Sequence, residues 1–118
     1  AVCKPDVPIS PPALFARVDG VTITDRPDTD AMLAAIEHGD ADTLCANVRN
    51  VFEQALEGKQ RDCIEKIKHA LLLHGAKAAA MTGSGSVVFG LFSDETSCRA
   101  ACDALQSGSI QTFCTEFV

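Results

Sequence analysis

Long apolar runs are missing from this sequence. The longest, Val87-Val88-Phe89-Gly90-Leu91-Phe92, falls far short of the roughly 20 residues a membrane-spanning helix needs. Tryptophan and tyrosine are absent, and aromatics make up only 5% of the chain. Positive charge is scarce as well: ten Lys and Arg stand against sixteen Asp and Glu, a formal charge of −6. That deficit speaks against a general nucleic-acid binder, which must neutralise phosphates, and leaves room only for a local basic pocket around one phosphorylated ligand. The chain opens Ala1-Val2-Cys3 with no charged segment and no apolar core behind it, so no signal peptide is expected. The missing Met leads to the expectation that this is part of a longer polypeptide. What is present, 118 residues of which 47% are hydrophobic and 22% charged, fits one soluble domain built on a single core.

A C-x-x-C pair is also lacking, although there are six cysteines, Cys3, Cys45, Cys63, Cys98, Cys102 and Cys114. Six would allow fifteen disulfide connectivities, but the spacing favours neither a disulfide framework nor a metal. Cys98 and Cys102 share a helical face with Ala101 and Leu105, the pattern of a buried stripe. The expectation is buried, reduced thiols in a cytoplasmic protein.

Proline and glycine punctuate the chain. Residues 2 to 9 contain Pro5 and Pro8 and read as extended. Ser10 is placed as an N-cap with Pro11 at the first helical position, opening a short helix through Leu14 and Phe15. Asp28 or Thr29 caps a second helix that ends near Gly39. A third is expected to start at Asp40 or Asp42 and run through Leu44, Val48, Val51 and Ala55 until Gly58 stops it. Gln60 to His74 is a helix with Ile64, Ile67 and Leu71 buried and Glu65, Lys66 and Lys68 off that face. Ala78 to Met81 and Val87 to Phe92 read as strands joined by Thr82-Gly83-Ser84-Gly85-Ser86, a hairpin. Asp94 to Gln106 is a capped helix and Ile110 to Phe117 the last strand. The order is that of an α+β, ferredoxin-like split β-α-β sandwich: a four-stranded antiparallel sheet with helices on one face.

The Thr82 to Ser86 loop is the best candidate for chemistry. Consecutive small residues let backbone N–H groups converge on an anion, and glycines permit close approach. A strand rather than a helix follows it, and no Lys succeeds the glycines, so it is neither a Walker loop nor a Rossmann turn. On composition alone, phosphate contact and a plain hairpin turn both stand. Phe15 reads as a core aromatic or as a platform for a base. Asp25, Asp28 and Asp30 lack the spacing of a calcium loop and suit helix capping better. His38, His69 and His74 fall near helix ends. Asn50, Phe52 and Glu53 interrupt their helical face oddly. No Ser-His-Asp set, paired carboxylates or metal motif is nominated, so no catalytic residue and no metal ligand is assigned within this chain.

The run Met81-Thr82-Gly83-Ser84-Gly85-Ser86-Val87-Val88-Phe89-Gly90-Leu91-Phe92 resembles the third conserved motif of the GHMP kinases, the small-molecule kinases of galactose, homoserine, mevalonate and phosphomevalonate. Lys4-Pro5 with Ile9-Ser10, the Phe15 position, Arg26 to Met32, Asn50-Val51-Phe52-Glu53, Ile67-Lys68 and Gly75-Ala76 fall in register with it. Within the superfamily the chain is similar to the kinases of non-mevalonate isoprenoid biosynthesis. The resemblance implies a C-terminal, ferredoxin-like, substrate-side domain spanning residues 1–118. It further implies that an N-terminal domain of the same polypeptide carries a second Gly/Ser loop around ATP, a catalytic Asp and a Lys. The whole enzyme would pass the γ-phosphoryl of ATP to a hydroxyl of a small-molecule substrate, with Mg²⁺ neutralising charge. Thr82, Gly83, Ser84, Gly85 and Ser86 would then line the phosphate region, Phe15 would pack on a cytosine base, and Ser10 would face the substrate.

Two positions depart from the family pattern. Pro11 stands where a Thr usually follows the Ser matching Ser10, which puts the substrate contact in doubt, and Ser86-Val87 replaces Pro-Thr. A GHMP kinase for another small alcohol therefore stays open. So does a free-standing ferredoxin-like module that binds a ligand or dimerises, since a domain parted from its neighbour exposes surface that favours self-association.

Overall fold

The sheet is assembled from four short strands, β1 (Val2–Pro5), β2 (Ala78–Met81), β3 (Val88–Leu91) and β4 (Ile110–Phe113). A computed structural model describes residues 1–117. The strands lie in the order β2-β3-β1-β4 and every neighbouring pair is antiparallel. Cys3 faces Val88 on one side and Thr112 on the other, and Met81 faces Val88 across the hairpin. β2 and β4 are therefore the edges. This is the split β-α-β arrangement expected from the sequence, with its two crossovers interleaved.

The helices are α1 (Pro11–Gly20), α2 (Thr29–His38), α3 (Ala41–Ala46), α4 (Gly58–Leu73) and α5 (Glu95–Leu105), with a 3₁₀ turn at Val51–Ala55. Most start on a side-chain cap, as their sequences predict: Ser10, Asp28, Asp40 and Asp94 accept from the N–H three residues on, filling one of the donors that a helix start leaves orphaned. α4 and α5 cover one face of the sheet, α4 over β2 and β3 and α5 over β4 and β1. Ile64, Ile67 and Leu71 of α4 meet Cys3, Leu14, Met81 and Val88 in a core whose largest side chains are fully enclosed. α4 comes close over Gly90, where a Cβ would lie 3.2 Å from the side chains of both Leu71 and Phe92, so a larger residue there would have to push these two side chains aside.

Three expectations are corrected. The helix foreseen from Asp40 to Gly58 breaks in two. Asn47 turns its amide back onto Thr43 O (2.9 Å) and closes α3. Asn50 is extended, and its Oδ1 accepts from Phe52 N–H (3.0 Å) to start the 3₁₀ turn. Polar side chains that bond their own backbone compete with helix at both positions. Gly58 opens α4 instead of stopping its predecessor. The end strands are shorter than foreseen: β1 stops at Pro5 and β4 at Phe113. Among the cysteines, Cys3, Cys98 and Cys102 are buried, while Cys45, Cys63 and Cys114 are only partly so.

Burial raises the thiol pKa of Cys3, Cys63 and Cys102. Cys114 lies with its sulfur 3.1 Å from that of Cys98 and is pushed up to about 11 by that hydrogen bond. Because access outweighs these shifts, an alkylating reagent followed by mass spectrometry is expected to label the partly exposed Cys45 and Cys63 in the native protein before the buried Cys3, Cys98 and Cys102, and all six in denaturant. Early labelling of Cys3 or Cys102 would contradict this core.

Candidate functional site

The turn Thr82-Gly83-Ser84-Gly85-Ser86 joins β2 to β3 and is shaped from within. Thr82 N–H donates to Val87 O (2.8 Å), and Gly85 N–H donates to Thr82 O (2.9 Å). Among the described residues the N–H groups of Gly83, Ser84 and Ser86 make no hydrogen bond. Those three are what the loop can offer an anion. Gly83 and Gly85 have φ of +49° and +89°, where a side chain is strained. The two differ in surroundings. A Cβ at Gly85 would sit 2.6 Å from Met81 Sδ and 2.7 Å from Ile9 Cδ1, whereas one at Gly83 would meet nothing within 4 Å. The loop is thus pressed onto Ile9, one residue from Ser10.

The base of the loop is fastened by residues whose role the sequence reading did not assign. Asn50 Nδ2 donates to Met81 O (2.7 Å) and Gly83 O (2.8 Å). Glu53 Oε1 accepts from Met81 N–H (2.6 Å), and its other oxygen accepts from Lys68 Nζ. Lys68 donates also to Glu65 Oε1 (3.3 Å). The side chains of Lys68 and Glu53 are only 20% and 11% exposed, so water screens this pair far less than a surface one. Burial works against the charge of Lys68, but the hydrogen bond and charge of Glu53, with Glu65 beyond, reverse that, and its pKa is raised. Lys68 was expected off the buried face of α4; it stands at the margin, turned toward the loop. The one signal was that Asn50 and Glu53 interrupt the helical face set by Val48, Val51 and Ala55.

Ser10 caps α1, its Oγ accepting from Ala13 N–H at 3.4 Å, which leaves its O–H free to donate. Gln60 of α4 steadies this corner, donating to Pro8 O (3.0 Å) and accepting from Arg17 Nη1 (3.3 Å). Phe15 is 56% exposed and meets Phe52 edge to face, ring centroids 4.9 Å apart. Phe52 belongs to the same 3₁₀ turn as Glu53 and follows Asn50 by two residues. Ser10, Phe15 and the loop, far apart in sequence, are thereby linked through Ile9 on one side and the Asn50–Glu53 turn on the other.

Most of the remaining polar candidates have structural partners; Asp30 lies in the first turn of α2. Asp28 caps α2, and Asp25 accepts from Arg49 Nε (2.9 Å). His38 and His74 each donate from Nδ1 to the carbonyl four residues back, at 2.7 and 2.8 Å. Among the described residues no group of three or more His, Cys, Asp or Glu side chains is arranged to hold a metal ion. No described helix is long and apolar enough to cross a membrane. A groove of about 700 Å³ lined by Val2, Leu91, Phe92, Cys98, Arg99 and Phe117 includes none of the loop residues.

A family model for the C-terminal part of the GHMP kinases matches residues 32–110, a stretch that takes in the Asn50–Glu53 turn, α4, the loop and both hairpin strands. The chain belongs to the GHMP kinase C-terminal family. Curated relatives agree. The chain is 35% identical over 105 residues to a 4-diphosphocytidyl-2-C-methyl-D-erythritol kinase of Caldicellulosiruptor saccharolyticus, covering 89% of this chain and 36% of that protein. It is 31% identical over 115 residues to the enzyme of the same name from Listeria monocytogenes serotype 4a, covering 98% of this chain and 37% of that one. This GHMP kinase C-terminal domain thus spans about a third of the length of the relatives it matches. A crystal structure of 4-(cytidine 5'-diphospho)-2C-methyl-D-erythritol kinase shares its fold, with a TM-score of 0.66 at 22% identity over 88% of this chain and 37% of that one.

Two tests follow for this GHMP kinase domain. Gly83→Ala adds only the positive-φ strain and is expected to lower stability by about 1–2 kcal/mol; Gly85→Ala, which must also displace Met81 and Ile9, is expected to lower it more in the same denaturant titration. Equal losses would mean that Gly85 is not pressed onto Ile9. For Lys68, a raised folded pKa means its stabilisation is fully present below the ordinary lysine value of about 10.4 and is lost as pH rises through the folded value. The stability gap between wild type and Lys68→Met, about 1–3 kcal/mol, is expected to stay level from pH 6 to 9 and to close above about pH 10.5. A gap that closes between pH 6 and 9 would be inconsistent with the Glu53 contact.

Proposed function

We propose that this chain is the substrate-side domain of an ATP-dependent kinase that phosphorylates the 2-hydroxyl of 4-diphosphocytidyl-2-C-methyl-D-erythritol in non-mevalonate isoprenoid biosynthesis. In this reading the N-terminal domain of the same polypeptide carries the ATP loop and the catalytic groups. The observation that carries it is the meeting of the Gly/Ser loop, with three free N–H groups, and the Ser10 and Phe15 corner, in a chain whose relatives bear that enzyme's name. Phosphoryl transfer depends on positioning and on donors aimed at the equatorial oxygens, and backbone N–H groups supply such donors at no charge. Phe15, 56% exposed and packed at a right angle on Phe52, would offer its ring to cytosine. The Ser10 hydroxyl is free to donate to the polyol.

ATP suits this chain through its phosphates, which the loop can receive. Mg²⁺ is assigned in this reading to the nucleotide phosphates and to the rest of the polypeptide, since the ion is commonly held by phosphates and only one or two carboxylates. Six unpaired thiols fit a reducing compartment such as the cytoplasm. A second reading, a GHMP kinase for another small alcohol, is favoured by Pro11, which has neither the hydroxyl nor the N–H that a Thr there would bring.

The test is ADP release by the full-length polypeptide across a panel of small alcohols. Turnover is expected with the cytidyl substrate, and Phe15→Ala is expected to raise its KM about tenfold with little change in kcat, as loss of base stacking worth about 1–3 kcal/mol predicts. Turnover with a different alcohol alone would establish the second reading, and none with any alcohol would overturn both.

A further inference from the structure

β2 is an edge strand, so the groups on its outer side have no strand to pair with. At its last residue that matters most. The inward hydrogen bond at this end of the hairpin belongs to Thr82, whose N–H reaches Val87 O, and Met81 points its own N–H and C=O outward while its side chain is buried. Both groups are met by side chains of one 3₁₀ turn, Glu53 on the N–H and Asn50 on the C=O. Asn50 then uses its second amide hydrogen on Gly83 O, inside the loop. With its Oδ1 accepting from Phe52 N–H, both amide hydrogens tie the turn to the loop and the oxygen secures the turn itself. Glu53 is in turn held by Lys68.

We propose that Asn50 and Glu53, braced by Lys68, are positioning residues for phosphoryl transfer: they stand in for a missing β-strand at Met81 and so hold the N–H groups of Gly83, Ser84 and Ser86 in place before the phosphate arrives. The inference rests on the kinase reading. Its physical basis is that a five-residue loop with two glycines is otherwise free to sample many backbone states, and an anion site whose donors must be ordered at the moment of reaction loses the advantage of preorganisation. Three side-chain bonds at the loop's base remove that freedom without touching substrate. The arrangement also selects residue types. Asp at position 50 has no hydrogens for the two carbonyls, and Gln at position 53 keeps the bond to Met81 N–H but loses the charge facing Lys68.

The experiment uses the full-length polypeptide and two readouts. Hydrogen exchange at Met81 N–H and across 82–86 reads the loop directly; steady-state kinetics at saturating substrate read the transfer step. Asn50→Ala and Asn50→Asp are expected to speed exchange across the loop at least tenfold and to lower kcat about 100-fold, the order expected for misplacement of reacting groups by about 1 Å. KM for the alcohol is expected to stay within twofold. Glu53→Gln is expected to lower kcat less than tenfold and Glu53→Ala to match Asn50→Ala; a purely structural role would not separate Gln from Ala in this way while leaving KM still. If a variant does not fold, Lys68→Met gives the same pattern at smaller amplitude through Glu53. Unchanged loop exchange with unchanged kcat would overturn the proposal, as would a loss confined to KM. If the wild type phosphorylates no alcohol, the kinase reading fails, and the proposed role in transfer fails with it, whereas exchange at Met81 still reports whether the clamp exists.

Discussion

The pairing of Met81's backbone is the constraint on which the rest of the site depends. A buried residue at the end of an edge strand must find partners for its N–H and C=O or lose the free energy of two unmade hydrogen bonds. The partners come from Asn50 and Glu53, which requires the chain to leave helix before residue 50 and re-enter as a 3₁₀ turn. That turn then carries Phe52 to Phe15. Its stem delivers the loop so that Gly85 falls on Ile9. A single unsatisfied strand edge thereby brings three distant segments together.

Lys68 shows how one helix serves two purposes. The i, i+3, i+7 set Ile64, Ile67 and Leu71 drives α4 onto the sheet and is fully enclosed, while Lys68, one residue round from Ile67, reaches the carboxylate behind the loop. Ion pairs in such half-covered positions contribute little net stability because desolvation offsets attraction. Their value here is geometric, since removal of the ammonium would leave the Glu53 carboxylate covered and unpaired.

The charge of the chain and the anion-receiving role proposed for its loop are reconciled by the same architecture. With a net charge of −6, the domain is a poor general host for phosphate. Backbone N–H groups bring partial positive charge without adding a cation, and under the proposed clamp they would be fixed before a ligand enters. In the proposed function, such a neutral cradle would serve a ligand whose remaining charge is balanced by the rest of the polypeptide.

Much of this was legible in the residues. Side-chain caps at Ser10, Asp28 and Asp94, the apolar face of α4, and the Gly/Ser hairpin follow from local chemistry, because each is decided within a few residues along the chain. The break at Asn47 to Asn50 was not, since helical spacing continues through Leu44, Val48, Val51 and Ala55, and only side-chain bonds to backbone override it. Nor was the inward turn of Lys68, whose partner lies fifteen residues away. The order of the strands along the chain and the α+β class follow from the residues, because periodicity and turn residues act locally, and the family resemblance came from the motif around the loop. Which N–H groups of the loop stay free and which side chains hold it emerge only in three dimensions, because both depend on an edge strand meeting a turn that no local pattern places beside it.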